Sequence, residues 1–148
     1  MIQRIQSIWL LLAALVMAGM FYFDVYHFAA AAPDDATQGV YNSVKNINNN
    51  YLAIVLSGIS VVLSLVAIFM FKNRKRQIGM VWINILLCIG LLFWLFVGLN
   101  NFWNKYPGVE GSLWIGMFLP FITVFLLLFA LRGLRKDEKL IKSLDRLR

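Results

Sequence analysis

Long apolar stretches alternate with short polar ones along the chain, and the apolar ones fall at about residues 5–23, 51–71, 78–99 and 111–131. Each supplies roughly the 20 apolar residues an α-helix needs to cross a ~30 Å hydrocarbon core at 1.5 Å rise per residue. A soluble chain would scatter charges along every helix, whereas here they are pushed into the gaps. The pattern predicts one membrane domain over residues 1–148, all-α, with transmembrane spans at about 6–28, 51–71, 78–99 and 111–131. The link Lys72–Gln77 is short enough to force spans two and three to be antiparallel neighbours, so an up-down-up-down four-helix bundle is expected. Past Leu131 the helical pattern continues into a tail at residues 132–148. There Leu134, Ile141, Leu144 and Leu147 recur at helical spacing, and Glu138 precedes Lys142 as a favourable (i, i+4) pair. That tail is expected to reach roughly 20 Å beyond the membrane if straight, or to bend at Gly133 and lie on the surface.

Charge orients the bundle. Twelve of the 14 Lys and Arg residues lie in three segments: Arg4, the run Lys72, Arg74, Lys75 and Arg76, and the seven from Arg132 to Arg148. The loops on the other side carry only Lys45 and Lys105. With four spans the three basic segments share one face, and the positive-inside rule assigns that face to the cytoplasm. Both termini, and the helical tail, are expected there. The net charge of +7 is therefore a feature of topology, and a nucleic-acid partner is not expected.

Composition adds little chemistry. The single cysteine, Cys88, sits mid-span with no disulfide partner and no companion ligands, and reads as a small packed hydrophobe. Span one could be mistaken for a cleavable signal peptide ending at Ala29–Ala32, but its apolar run is long enough to span, so retention is expected. Trp9 at one end and Tyr22, Tyr26 and His27 at the other suit the two headgroup levels. The loop from Ala29 to Asn50 has a turn-rich composition. The second outer loop, about Asn100–Glu110, reads as a tight aromatic cap containing Trp103 and Tyr106.

Polar exceptions inside the spans carry the remaining information. Counted back from the inner span ends, Ser64, Asn84 and Thr123 lie at one depth, about seven or eight residues in, and form a candidate interhelical polar layer. Ser60 and Cys88 share a level one turn further out. Ser57, Ser60, Ser64 and Ala67 make a small-residue stripe on one face of span two. Helix packing explains such residues at about 0.6 kcal/mol per interhelical hydrogen bond. A ligand or ion pocket explains them less well, because no ionisable group joins the layer. Asp24 and His27, three apart on an expected helix, would face one direction at the outer end of span one. With one histidine in the chain they read as a solvated helix end rather than a metal site. Pro120 should kink span four near mid-bilayer. No phosphate-cradling loop, nucleophile set or paired carboxylate is present, so neither catalytic residues nor a cofactor are expected.

Three stretches carry a family likeness: MIQRIQSIWLLLAA at Met1–Ala14, KNRKRQIG at Lys72–Gly79 and LRGLRKDEKLIKSLDRLR at Leu131–Arg148. They resemble the uncharacterised four-helix membrane proteins of Bacteroidota catalogued as domain of unknown function 4293. The likeness covers the whole chain, and the ending is its most specific part. It implies an inner-membrane protein of a Gram-negative bacterium and brings no activity, cofactor or catalytic residue with it.

Two functions compete. In the first, the chain is a non-enzymatic accessory or scaffold subunit of an inner-membrane assembly. Its basic surface would then contact a protein partner, a second copy or anionic lipid headgroups. The residues concerned are Lys72, Arg74, Lys75, Arg76, Arg132, Arg135, Lys136, Lys139, Lys142, Arg146 and Arg148. Headgroup attraction of about 1 kcal/mol per basic residue accounts for the Lys72–Arg76 run. It accounts less well for a tail with an apolar stripe, which suits docking. In the second, the chain is a small transporter or ligand-binding protein using Ser64, Asn84 and Thr123. An enzyme acting on lipid through Asp24 and His27 is the weakest alternative.

Overall fold

The computed structural model describes residues 2–23, 25–28, 51–71, 73–105, 111–113 and 115–145. Four helices are present: α1 (Ile2–Ala18), α2 (Tyr51–Phe69), α3 (Arg74–Lys105) and α4 (Ile115–Asp145). A 3-10 turn (Gly19–Phe21) follows α1, and two short strands, β1 (Tyr26–Phe28) and β2 (Gly111–Leu113), complete the described elements. Three helices are long and apolar enough to cross a membrane, over Tyr51–Phe69, Arg74–Asn101 and Ile115–Leu140; the apolar part of α1, Gln6–Phe21, is shorter. Only 28, 33 and 39% of those three windows is buried within the molecule. Large apolar side chains such as Ile83, Leu86, Phe93, Phe96, Phe121 and Phe125 face outward instead. In water so wide an apolar surface would be untenable, whereas hydrocarbon covers it at no cost. The chain is a membrane protein.

Each helix packs on two others: α1 on α2 and α4, and α3 on α2 and α4. Gln6 meets Asp137 and Gly19 approaches Leu119, so α1 and α4 are antiparallel. Asn84 meets Ser60 and Gln77 meets Ala67, so α2 and α3 are antiparallel too. The buried positions follow alternating steps of four and three. The series is Gln6, Leu10, Ala13, Met17 in α1, with Ala14 buried beside it; Ala53, Ser57, Ser60, Ser64, Ala67 in α2; and Gln77, Val81, Asn84, Cys88, Leu91, Leu95 in α3, with Ile85 and Leu99 also buried. In α4 it is Gly116, Pro120, Thr123, Leu127, Ala130, Leu134, Asp137, with Leu119 and Leu131 buried beside it. A 3.5-residue repeat is the seam of left-handed packing, with helices about 20° from antiparallel. The buried face of α2 is made only of Ala and Ser, which lets its neighbours approach closely.

Several boundaries differ from the sequence-based expectation. Span one does not continue as helix to Phe28. At Gly19 the chain tightens, and its carbonyl accepts from the N–H groups of both Tyr22 (2.9 Å) and Phe23 (3.0 Å). The following aromatic and β-branched residues suit extended backbone. Tyr26 pairs with Leu113, His27 with Ser112 and Phe28 with Gly111, antiparallel. His27 is thus a strand residue, where a helical one was expected, and Asp24 lies outside the described residues. Span four accordingly begins at Ile115, since Gly111–Leu113 is strand. α3 begins at Arg74, inside the expected link, and persists to Lys105, well into the expected aromatic loop. Leu99 is buried near this end, and the Trp103 indole N–H donates to the Tyr26 hydroxyl at 3.1 Å, so tertiary contacts sustain the added turns. α4 runs as one helix of 31 residues through both Pro120 and Gly133. The loop Ala29–Asn50 lies outside the described residues.

Candidate functional site

The polar groups that distinguish this chain gather at the end of the molecule where α2 turns into α3. Gln6 of α1 sits at the centre. Its Nε2 donates to Asp137 Oδ2 at 2.6 Å, and its Oε1 accepts from an Arg74 terminal nitrogen, Nη1, at 3.0 Å. Nη1 also donates to Gln77 Oε1 at 3.3 Å. Gln77 Nε2 in turn donates to the Ala67 carbonyl at 2.8 Å, which ties α3 to the end of α2. Arg74 Nη2 lies 3.9 Å from Asp137 Oδ2. The clasp thus draws on all four helices. Gln6 and Asp137 are only 3% and 8% exposed, and Asp137 Oδ1 is buried without a hydrogen-bond partner among the described residues. Gly133 makes the arrangement possible: a Cβ there would stand 2.9 Å from Gln6 Cγ.

The helix seam explains why these side chains point inward. Gln6, Gln77 and Asp137 occupy the terminal positions of the 3.5-residue series in α1, α3 and α4. Removing a charge partner from such a site costs far more than never having built it, because the survivor is left buried and unpaired. Beside the clasp a recess of about 640 Å³ is lined by Gln6, Ser7 and Ile8 of α1, Ile68, Phe69 and Phe71 at the end of α2, and Arg74 and Gln77 of α3.

The intramembrane layer is smaller than expected. Ser64 and Asn84 do meet: Asn84 Nδ2 donates to Ser64 Oγ at 2.7 Å and to the Ser60 carbonyl at 3.2 Å. Ser60 Oγ donates to Asn84 Oδ1 at 2.7 Å and lies 3.3 Å from Cys88 Sγ. Thr123 does not join them. Its hydroxyl donates to the Leu119 carbonyl of its own helix at 2.9 Å and lies 3.9 Å from Met17 Sδ of α1. Equal depth placed it at the right height on the wrong side of the bundle. The Asn84 amide is engaged at both ends, so the layer is closed on itself.

The basic residues divide. Lys75, Arg76, Arg132, Lys136 and Lys139 are exposed. Arg135, also exposed, lays its guanidinium over the Trp82 ring, 5.4 Å from the centroid, an attractive cation–π geometry. Arg74 was expected on the surface with its neighbours, but its side chain is 11% exposed and turned into the clasp. The side chains of Lys72, Lys142, Arg146 and Arg148 lie outside the described residues. Of the tail's apolar stripe, Leu134 is fully buried in the molecule's own core and is not available to a partner. Sequence reasoning overlooked Gln6, Gln77 and Asp137. The signal was present, since Asp137 falls between Leu134 and Ile141 on one helical face.

Among the described residues, no group of three or more His, Cys, Asp or Glu side chains is placed to hold a metal ion. No curated protein and no solved structure matches the chain. The model of one family, described as Domain of unknown function (DUF4293), matches residues 2–147, nearly the full length, and the chain belongs to that family.

Proposed function

We propose that this chain is a non-enzymatic accessory or scaffold subunit of a bacterial inner-membrane assembly. Its four helices would span the bilayer up-down-up-down with both termini in the cytoplasm. The apolar part of α1 with its 3-10 turn, Gln6–Phe21, rises about 25 Å, a shortfall against a ~30 Å core that local bilayer thinning absorbs. The three segments assigned to the cytoplasm hold twelve Lys and Arg against three carboxylates, and the opposite segments hold two against four. That asymmetry supports the orientation.

The fixed tail of α4 carries this reading. Residues that only set topology have no need of rigid placement. Here buried Leu134, the Asp137–Gln6 bond and the Arg135–Trp82 contact hold the helix against the bundle. Arg132, Lys136 and Lys139 therefore stand at set positions on its outer side, with Lys75 and Arg76 exposed in the first turn of α3. Such a rigid basic platform suits an acidic partner surface or anionic headgroups. Transport through the Ser64–Asn84 layer has less to support it, since those groups already satisfy one another.

The test is purification from native membranes in mild detergent, comparing the full chain with the R132Q/K136Q/K139Q variant by quantitative mass spectrometry. Point substitutions are used because cutting the chain at Gly133 would remove buried Leu134 and Asp137. A protein recovered in near-stoichiometric amount with the natural chain, and lost from a variant of equal thermal stability, supports the accessory role. Recovery of lipid alone with both chains refutes it.

A further inference from the structure

The recess beside the clasp has two kinds of wall. Ile8, Ile68 and Phe69 give it an apolar side, and Arg74 gives it a cation. Ile8 and Phe69 are exposed, so the apolar side is continuous with the outer surface of the helices. Its volume of about 640 Å³ falls within the 300–1,000 Å³ typical of ligand sites.

Arg74 is incompletely served. A guanidinium has five N–H donors, and among the described residues only Nη1 donates hydrogen bonds, to Gln6 and Gln77. Asp137 approaches Nη2 only to 3.9 Å, too far for a hydrogen bond. Among the described residues, Nη2 and Nε therefore make no hydrogen bond. A planar guanidinium with adjacent open donors matches two oxygens of a phosphate. An inorganic anion would fill this polar end and leave the apolar wall bare. An amphiphile covers both.

We propose that the recess binds one anionic phospholipid, its phosphate on Arg74 Nε and Nη2 and an acyl chain along Ile8, Ile68 and Phe69. Exposed Lys75 and Arg76, one and two residues beyond Arg74, favour a net negative headgroup over a zwitterionic one. The inference rests on the cytoplasmic membrane placement above and is independent of any protein partner at the tail.

Native mass spectrometry of the full chain, released from nanodiscs of equimolar phosphatidylglycerol and phosphatidylcholine, reads the site directly. One retained phosphatidylglycerol is expected, preferred at least tenfold over phosphatidylcholine. Ile8→Trp, which fills the recess from an exposed wall and leaves the clasp untouched, should cut retention at least tenfold, and so should Arg74→Gln. R132Q/K136Q/K139Q should leave it unchanged. Equal retention of both lipids, or loss with the tail variant but not with Ile8→Trp, overturns the proposal. Ile8→Trp decides the matter alone if Arg74→Gln fails to fold. A reporter fused to the C-terminus reads sidedness separately, so a wrong orientation is distinguishable from an empty recess.

Discussion

Gly133 lies inside a helix, where glycine is ordinarily a liability. Replacing it with Ala should stabilise an unencumbered helix by about 1 kcal/mol through backbone entropy. The geometry predicts otherwise. The new Cβ would stand 2.9 Å from Gln6 Cγ and 3.3 Å from its Nε2. Gln6 has little freedom to retreat, since its amide is held at both ends, by Asp137 at 2.6 Å and Arg74 at 3.0 Å. Overpacking of this kind costs about 1–3 kcal/mol, so Gly133→Ala should come out between neutral and about 2 kcal/mol destabilising. In a Gln6→Ala background the obstruction is gone, and the same substitution should stabilise by about 1 kcal/mol. The sign reversal is the diagnostic, a coupling of about 1–3 kcal/mol in a double-mutant cycle. Unfolding by SDS titration from dodecylmaltoside micelles, followed by tryptophan fluorescence, measures all four proteins. If Gly133→Ala stabilises both backgrounds equally, α4 is not docked on α1 at this point and the clasp does not exist.

Three further outcomes follow from the packing. Leu134→Ala should cost about 2–5 kcal/mol in the same titration, whereas Leu140→Ala, at a half-exposed site on the same tail, should stay within about 0.5 kcal/mol. Equal effects would show that the tail is not part of the core. Asn84→Leu removes three hydrogen bonds to α2 and should destabilise by about 2 kcal/mol at roughly 0.6 kcal/mol each, with helix content retained by circular dichroism. An unchanged midpoint would dissolve the Ser60–Asn84–Ser64 layer. Cys88 is fully buried, so a membrane-permeant maleimide should label it only after SDS unfolding, and rapid labelling of the folded protein would contradict the seam.

The apolar segments were legible in sequence because lipid demands length and apolarity before anything else. The inward faces were harder, since in hydrocarbon the outer face is as apolar as the core. Leu86 is exposed and Leu91 buried on the same helix, and nothing in their chemistry separates them. Small and polar residues mark the inside instead. The stripe Ser57, Ser60, Ser64, Ala67 showed this in α2, and the same rule extended to Gln6, Gln77 and Asp137 would have found the clasp. Those three fell among residues that read as helix ends facing water, so only their register gave them away. Thr123 shows the limit of depth counting, which fixes height in the bundle but not angular position. The β1–β2 pairing joins segments far apart in sequence, and an aromatic run such as FYFDVYHF fits a membrane helix and a strand equally well.

The self-contained bonding of Asn84 bears on how the protein enters a bilayer. Its partners outside α3 are all on α2, which is synthesised first, so Ser60 and Ser64 are in place when Asn84 arrives. The α2–α3 hairpin is thus expected to leave the insertion machinery as a pair, with no amide left unmet in hydrocarbon. The clasp differs, because Gln6, Arg74 and Asp137 belong to the first, third and fourth helices. It closes only when the last helix is in place. A chain that still lacks its last helix therefore leaves Arg74 without its carboxylate partner.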